Sequence, residues 1–205
     1  MTLPRPLARR HRAKRDDRRF VVATEDTYAP EQYFKAFRLN RVSVHIVPTI
    51  DGRSSARDVV ARLKEVQAEG LRNNEVLSED QFWVVLDTDH WSQGQHVVAF
   101  SQAIKEAREA GFHVAVTNPC FELWLLLHVA DAPVPVESAE QLVKALQVAC
   151  GGYSKTNIPI GVLMPGVRAA LARAAKLDTG SAGWPQSTGS QLPLLITQLL
   201  QFLAD

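Results

Sequence analysis

Four short apolar runs, each followed by a stretch with helical spacing, constrain this chain more than any other feature. Phe20–Ala23, Val42–Thr49, Phe82–Leu86 and Phe112–Thr117 are rich in β-branched and aromatic residues. Between them lie 31–38, entered through Pro30, then Ser54–Glu69 with Val59, Val60, Leu63 and Val66 at helical spacing, and His96–Ala110 closed by Gly111. Strand, helix, strand in this rhythm predicts an α/β fold: a four-stranded, mainly parallel sheet with flanking helices. Helical patterns over 119–130, 138–149, 162–177 and 191–203 predict a C-terminal helical extension. Residues 178–190 read as a Gly/Ser loop with no strand in them. The expected organisation is a basic arm over 1–18, an α/β core over 19–130 and the extension over 131–205.

Composition excludes several classes. Apolar residues make up 46% of the 205 and charged residues 22%, ordinary for a globular chain and too apolar for general disorder. No apolar run approaches the roughly 20 residues of a membrane helix, and no apolar segment of the kind found in secretory signals follows the basic start. Cys120 and Cys150 are too few for a disulfide framework or a zinc ribbon, so both are expected reduced, in the cytoplasm. Neither GxxxxGK[ST] nor GxGxxG occurs.

The net charge of +1 hides an asymmetry. Residues 1–19 carry eight Lys/Arg against Asp16 and Asp17, and the remainder is acidic. Arg9, Arg10, Arg12, Lys14 and Arg15 are therefore candidate phosphate contacts, since a basic arm on an acidic body suits a polyanion partner.

Ligands of open parallel sheets gather beyond the carboxyl ends of the strands. The first run is followed by Glu25 and the third by Asp87-Thr88-Asp89-His90. Two carboxylates one residue apart repel unless a cation neutralises them, and hard oxygen donors suit Mg²⁺ or Mn²⁺. Glu122 is anomalous in the apolar segment 121–129. With Asn118 as N-cap and Pro119 in the first turn, it would lie just beyond the fourth strand and join the carboxylates. His90 and Lys155 are candidate phosphate contacts at the edge of such a site. His128 reads as a core histidine and Cys120 as a buried thiol.

Thr117-Asn118-Pro119-Cys120-Phe121-Glu122-Leu123-Trp124-Leu125-Leu126-Leu127-His128 strongly resembles the NPCFELWLLLH signature of RloB-like proteins. An Arg-rich start, Glu25 after an apolar strand, Tyr33-Phe34, VVLDTDH, GYSK and Pro185-Gln186-Ser187-Thr188 follow in the expected order. The resemblance implies a Toprim-type fold, in which a strand-end glutamate and a DxD bind Mg²⁺ for phosphodiester chemistry. Glu25 matches that glutamate, and Asp87 and Asp89 match the DxD. It also implies anti-phage (abortive infection) loci with an ATPase encoded nearby. The family's usual E-G-E-x-T-E-P-x-Y-F is altered: Asp26 replaces the glycine, Thr27 the second glutamate, and the third stands at Glu31.

The expected function is an Mg²⁺-dependent nuclease, with DNA, RNA and tRNA as candidate substrates and Glu25, Asp87, Asp89 and Glu122 as the catalytic set. Its expected partners are nucleic acid and the ATPase, with a homodimer allowed and no membrane. The altered glutamate motif favours an alternative, a non-catalytic adaptor of the same fold that docks on the ATPase. A receiver-type phosphotransfer domain fits less well, because the strand-end Thr/Ser and Lys pattern is missing.

Overall fold

A computed structural model describes residues 17–26, 28–49, 52–89, 96–136, 138–181 and 183–203. The basic-arm residues Arg9, Arg10, Arg12, Lys14 and Arg15, and His90, lie outside the described residues.

Strands β1 (Arg18–Thr24), β2 (Val42–Val47), β3 (Gln81–Asp87) and β4 (His113–Asn118) form a parallel sheet in the order β2-β1-β3-β4. Helices α1 (Tyr28–Lys35), α2 (Ala56–Arg72) and α3 (His96–Glu109) make the crossovers. The chain steps outward from β1 to β2, then returns across β1 to β3. The carboxyl ends of β1 and β3 therefore flank the point where strand order reverses, with Thr24 beside Val85 in the register.

The β-branched runs are continuous rather than alternating because both faces of the sheet are covered. Phe20 and Val22 of β1 with Trp83 and Val85 of β3 enter one apolar cluster, shared with Tyr33 and Phe34 of α1. Their neighbours Val21, Ala23, Val84 and Leu86 enter the other, against Val59, Val60 and Leu63 of α2 and Phe100 and Ile104 of α3. Ser55 caps α2, its hydroxyl accepting from the Asp58 N–H.

The sheet has five strands among the described residues, not four. Gly189–Ser190 forms β5, antiparallel to β4, with Thr117 and Ser190 paired and their hydroxyls 2.9 Å apart. This overturns the loop expected over 178–190. Asp178 organises that segment: its carboxylate accepts from the backbone N–H groups of Gly180, Gln186 and Ser187. Gly189 lies so close to the Asp178 carbonyl that any Cβ would overlap it. A composition of small and turn-forming residues serves here to build a tight crossing.

The later helices are also shorter than their patterns. Helix α4 spans only Phe121–Leu126; its N-cap is Cys120, not Asn118. Asn118 belongs to β4, its side-chain amide donates to the Pro185 carbonyl, and its peptide bond to Pro119 is cis. Helix α5 (Ala139–Cys150) is followed by α6 (Ile160–Leu163), a 3-10 turn over Met164–Gly166, and α7 (Val167–Ala174). Gly166 is pressed against the His128 carbonyl, where a side chain would not fit, and the continuous helix expected there is broken. Helix α8 (Leu192–Leu199) ends in a 3-10 turn over Leu200–Phe202. Leu142, Leu146, Ala170 and Leu195 of these elements belong to the same apolar cluster as Phe20 and Trp83.

Candidate functional site

The first strand ends at Thr24, and the next two residues carry carboxylates. Glu25 Oε1 accepts from the Asp87 backbone N–H at 3.3 Å, which stitches the end of β1 to the end of β3. Asp26 stands two residues before α1, its Oδ1 accepting from the Tyr28 N–H at 2.9 Å. After Asp87, the Thr88 N–H donates to the Thr117 and Pro119 carbonyls and the Asp89 N–H to Pro119. The DxD turn is thus held against the end of β4. The Thr88 hydroxyl, buried between the two aspartates in sequence, has no hydrogen-bond partner among the described residues.

Asp87 bears the electrostatic cost of this arrangement. Burial raises its carboxyl well above the ordinary carboxylate range, and the charges of Glu25, Glu122 and Asp89 add to the rise. A hydrogen bond from the Phe121 backbone N–H opposes it. All four carboxylates named from sequence therefore interact around Asp87. Asp89 is the exposed member and Glu122 the buried one.

Glu122 has its own partners. Its Oε1 accepts from the Tyr153 hydroxyl at 3.1 Å and lies 3.2 Å from Lys155 Nζ. Lys155 Nζ also stands 3.4 Å from Asp26 Oδ2. Burial opposes the charged ammonium, but Glu122 and Asp26 outweigh it and hold Lys155 protonated above its ordinary range. Gln32 of α1 fixes this loop from behind, donating to the Lys155 carbonyl and accepting from the Ile158 N–H. Cys120, buried beside the cluster, has its thiol pushed up by burial and by Asp87 and Glu122, so no thiolate forms there. His128 lies in the core, between the Tyr33 hydroxyl at 3.0 Å and the Trp124 carbonyl at 2.8 Å.

Three contributors escaped the sequence patterns. Asp26 and Tyr153 reach the cluster through contacts between distant segments. Arg62 had a visible signal: it stands three residues after Val59 and four before Val66, a charge on the apolar stripe of α2. It is buried, and it donates to the carbonyls of Arg53, in the turn before α2, and Thr24, at the end of β1.

The carboxylates around Asp87 offer hard oxygens, the donor type that Mg²⁺ or Mn²⁺ takes, although the Cys120 thiol lies beside them. Among the described residues, no group of three or more His, Cys, Asp or Glu side chains is arranged to hold a metal ion.

A parallel α/β sheet with acidic side chains at its switch point defines the general class. RloB-like proteins match over residues 20–199, and the chain belongs to this family. No curated protein and no solved structure matches it. Among the described residues, no helix is long and apolar enough to cross a membrane.

Proposed function

We propose that the chain is an Mg²⁺- or Mn²⁺-dependent nuclease of Toprim type, the effector of an anti-phage system in the cytoplasm. The observation that supports this best is the crowding of Glu25, Asp89 and Glu122 around the partly buried Asp87 at the strand-order reversal. Such crowding is unfavourable for a fold on its own and useful to one that takes up a cation.

Glu25, Asp87 and Asp89 are the residues that would hold the ion. When bound, a divalent ion neutralises charge on a scissile phosphate and lowers the pKa of a water. The chain's own residues prepare the place. The Asp87 N–H fixes the Glu25 carboxylate. Tyr153 and Lys155 orient Glu122. Lys155, half exposed, is our candidate for meeting a phosphate; His90 and the basic arm are further candidates from sequence alone. DNA, RNA and tRNA are the substrates to test, alone and with the neighbouring ATPase. Cleavage that needs Mg²⁺ or Mn²⁺, stops in chelator and falls by orders of magnitude in Asp87→Ala supports the reading. Indistinguishable wild type and Asp87→Ala under all these conditions would end it.

A second reading, an adaptor that docks on the ATPase, is favoured by Lys155. Its ammonium already compensates Asp26 and Glu122, as a resident cation would. Calorimetric titration of Mg²⁺ and Mn²⁺ into wild type and Asp87→Ala separates the two readings, because the adaptor binds neither ion.

A further inference from the structure

Arg62 projects from the buried face of α2, beside Val59 and Leu63, and is only 9% exposed. A charged side chain in such a place costs free energy unless its hydrogen bonds recover it. Its bonds go to the end of β1 beside the acidic cluster, to Thr49 past β2 and to the turn before α2. One terminal nitrogen donates to the Arg53 carbonyl at 2.6 Å. The other donates to the Thr24 carbonyl at 3.1 Å and to the Thr49 hydroxyl at 3.3 Å. The Thr49 hydroxyl in turn lies 2.8 Å from the Glu25 carbonyl and 3.2 Å from that of Thr24. The guanidinium and one hydroxyl together hold both carbonyls that frame Glu25, just past the last residue of β1.

The bonding is incomplete: the buried Arg62 Nε has no partner among the described residues. A residue selected for stability alone would be apolar here, like its neighbours on the stripe. A planar fork, by contrast, reaches two segments at once, and an ammonium cannot do so in the same geometry. Its positive charge is also attracted to Glu25, as it is to Asp58 and Glu65.

We infer that Arg62 is a positioning residue for the Glu25 carboxylate, acting through the Thr24 and Glu25 carbonyls and relayed by Thr49. This rests on the divalent-cation reading of the site. Arg62 touches neither ion nor substrate; it fixes the backbone from which one ligand projects. Removing it leaves the four carboxylates present and the Glu25 carboxylate free to wander from Asp87, which weakens ion binding.

The test is calorimetric titration of Mn²⁺ into the full chain, for wild type, Arg62→Met, Arg62→Lys, Thr49→Val and the exposed-helix control Arg57→Met. Far-UV circular dichroism and the thermal midpoint report folding of each. Arg57→Met should match wild type. Arg62→Met should bind Mn²⁺ at least tenfold more weakly while its thermal midpoint stays near that of wild type. Arg62→Lys should recover only part of the affinity, and Thr49→Val should show a smaller loss of the same kind. A folded Arg62→Met within twofold of wild type overturns the inference. If Arg62→Met does not fold, wild-type affinity in both Arg62→Lys and Thr49→Val overturns it equally. A wild type that binds no Mn²⁺ removes the cation reading itself, a different failure, and the inference goes with it.

Discussion

The backbone N–H of Asp87 donates to the side chain of Glu25 at 3.3 Å, so two residues 62 positions apart share one seam between β1 and β3. Neither strand alone makes a site. The parallel register that sets Thr24 beside Val85 brings the acidic ends together. The crowding that follows can be measured without any substrate.

Asp87 is the first place to measure it. Burial, then the charges of Glu25, Glu122 and Asp89, raise its carboxyl above the unfolded value. The folded state therefore holds a proton that the unfolded state has released. Stability from this group is full below the unfolded pKa of about 3.9 and is lost as pH rises through the folded value. Asp87→Asn should flatten that part of the profile and raise stability in chelator at neutral pH. Urea midpoints from pH 4 to 8, with and without Mn²⁺, check this. Mn²⁺ should stabilise wild type and leave Asp87→Asn unmoved. A wild-type profile identical to that of Asp87→Asn would show that the carboxylates do not interact.

Lys155→Met should cost stability, because it leaves the buried Glu122 carboxylate with the Tyr153 hydroxyl and without its cation. The lysine is half exposed, so solvent screens the pair and the loss should be on the order of 1 kcal/mol. Chemical denaturation in chelator measures it. Adding the Tyr153→Phe change should cost less than the sum of the two single changes, since both act on one carboxylate.

His128 gives a pH dependence of opposite sign. The Trp124 carbonyl can only accept, so Nδ1 carries the proton and Nε2 accepts from the Tyr33 hydroxyl. Burial lowers its pKa to about 4. The unfolded imidazole protonates near 6.5, so stability is full above that value and falls as pH drops toward 4. Between pH 7 and pH 5 the loss should be about 2 kcal/mol. His128→Gln should remove it, as compared by urea denaturation at the two pH values.

Asp178→Ala should loosen 178–187 without unfolding the sheet. Three backbone N–H groups and the Ser187 hydroxyl lose their acceptor, at a cost of about 1–3 kcal/mol. Limited proteolysis should cut first in this segment in the variant and not in wild type. Gly189→Ala should be more severe, by about 3 kcal/mol or more, because its Cβ has no room beside Asp178.

The four parallel strands were legible because burial on both faces leaves apolar runs that nothing else explains. The acidic strand ends were legible for a related reason: charges directly after such runs fall at a predictable edge of the sheet. β5 was not, since two residues carry no periodicity and the pairing depends on how Asp178 folds its own loop. The break within 162–177 falls at Pro165-Gly166, and the packing of Gly166 against the His128 carbonyl, 38 positions away, could not be read from spacing. Lys155 was singled out as a phosphate contact, yet its partnership with Asp26 and Glu122 required knowing that three remote segments meet. Arg62 was readable in principle. A single charge on an apolar helical stripe looks, in sequence, like part of an ordinary amphipathic face.

The shared apolar cluster under α4 sets how short this chain can be made. Trp124, Leu125, Leu126 and Leu127 are fully covered, and Leu142, Leu146, Ala170 and Leu195 from later helices belong to the same cluster. A chain cut after residue 130 keeps every carboxylate of the site and all four parallel strands. It would nevertheless lay bare a contiguous oily surface much larger than monomers tolerate, and should precipitate or recruit a chaperone on expression. The acidic cluster occupies one edge of the sheet, but the solubility of that edge is written in the last 75 residues.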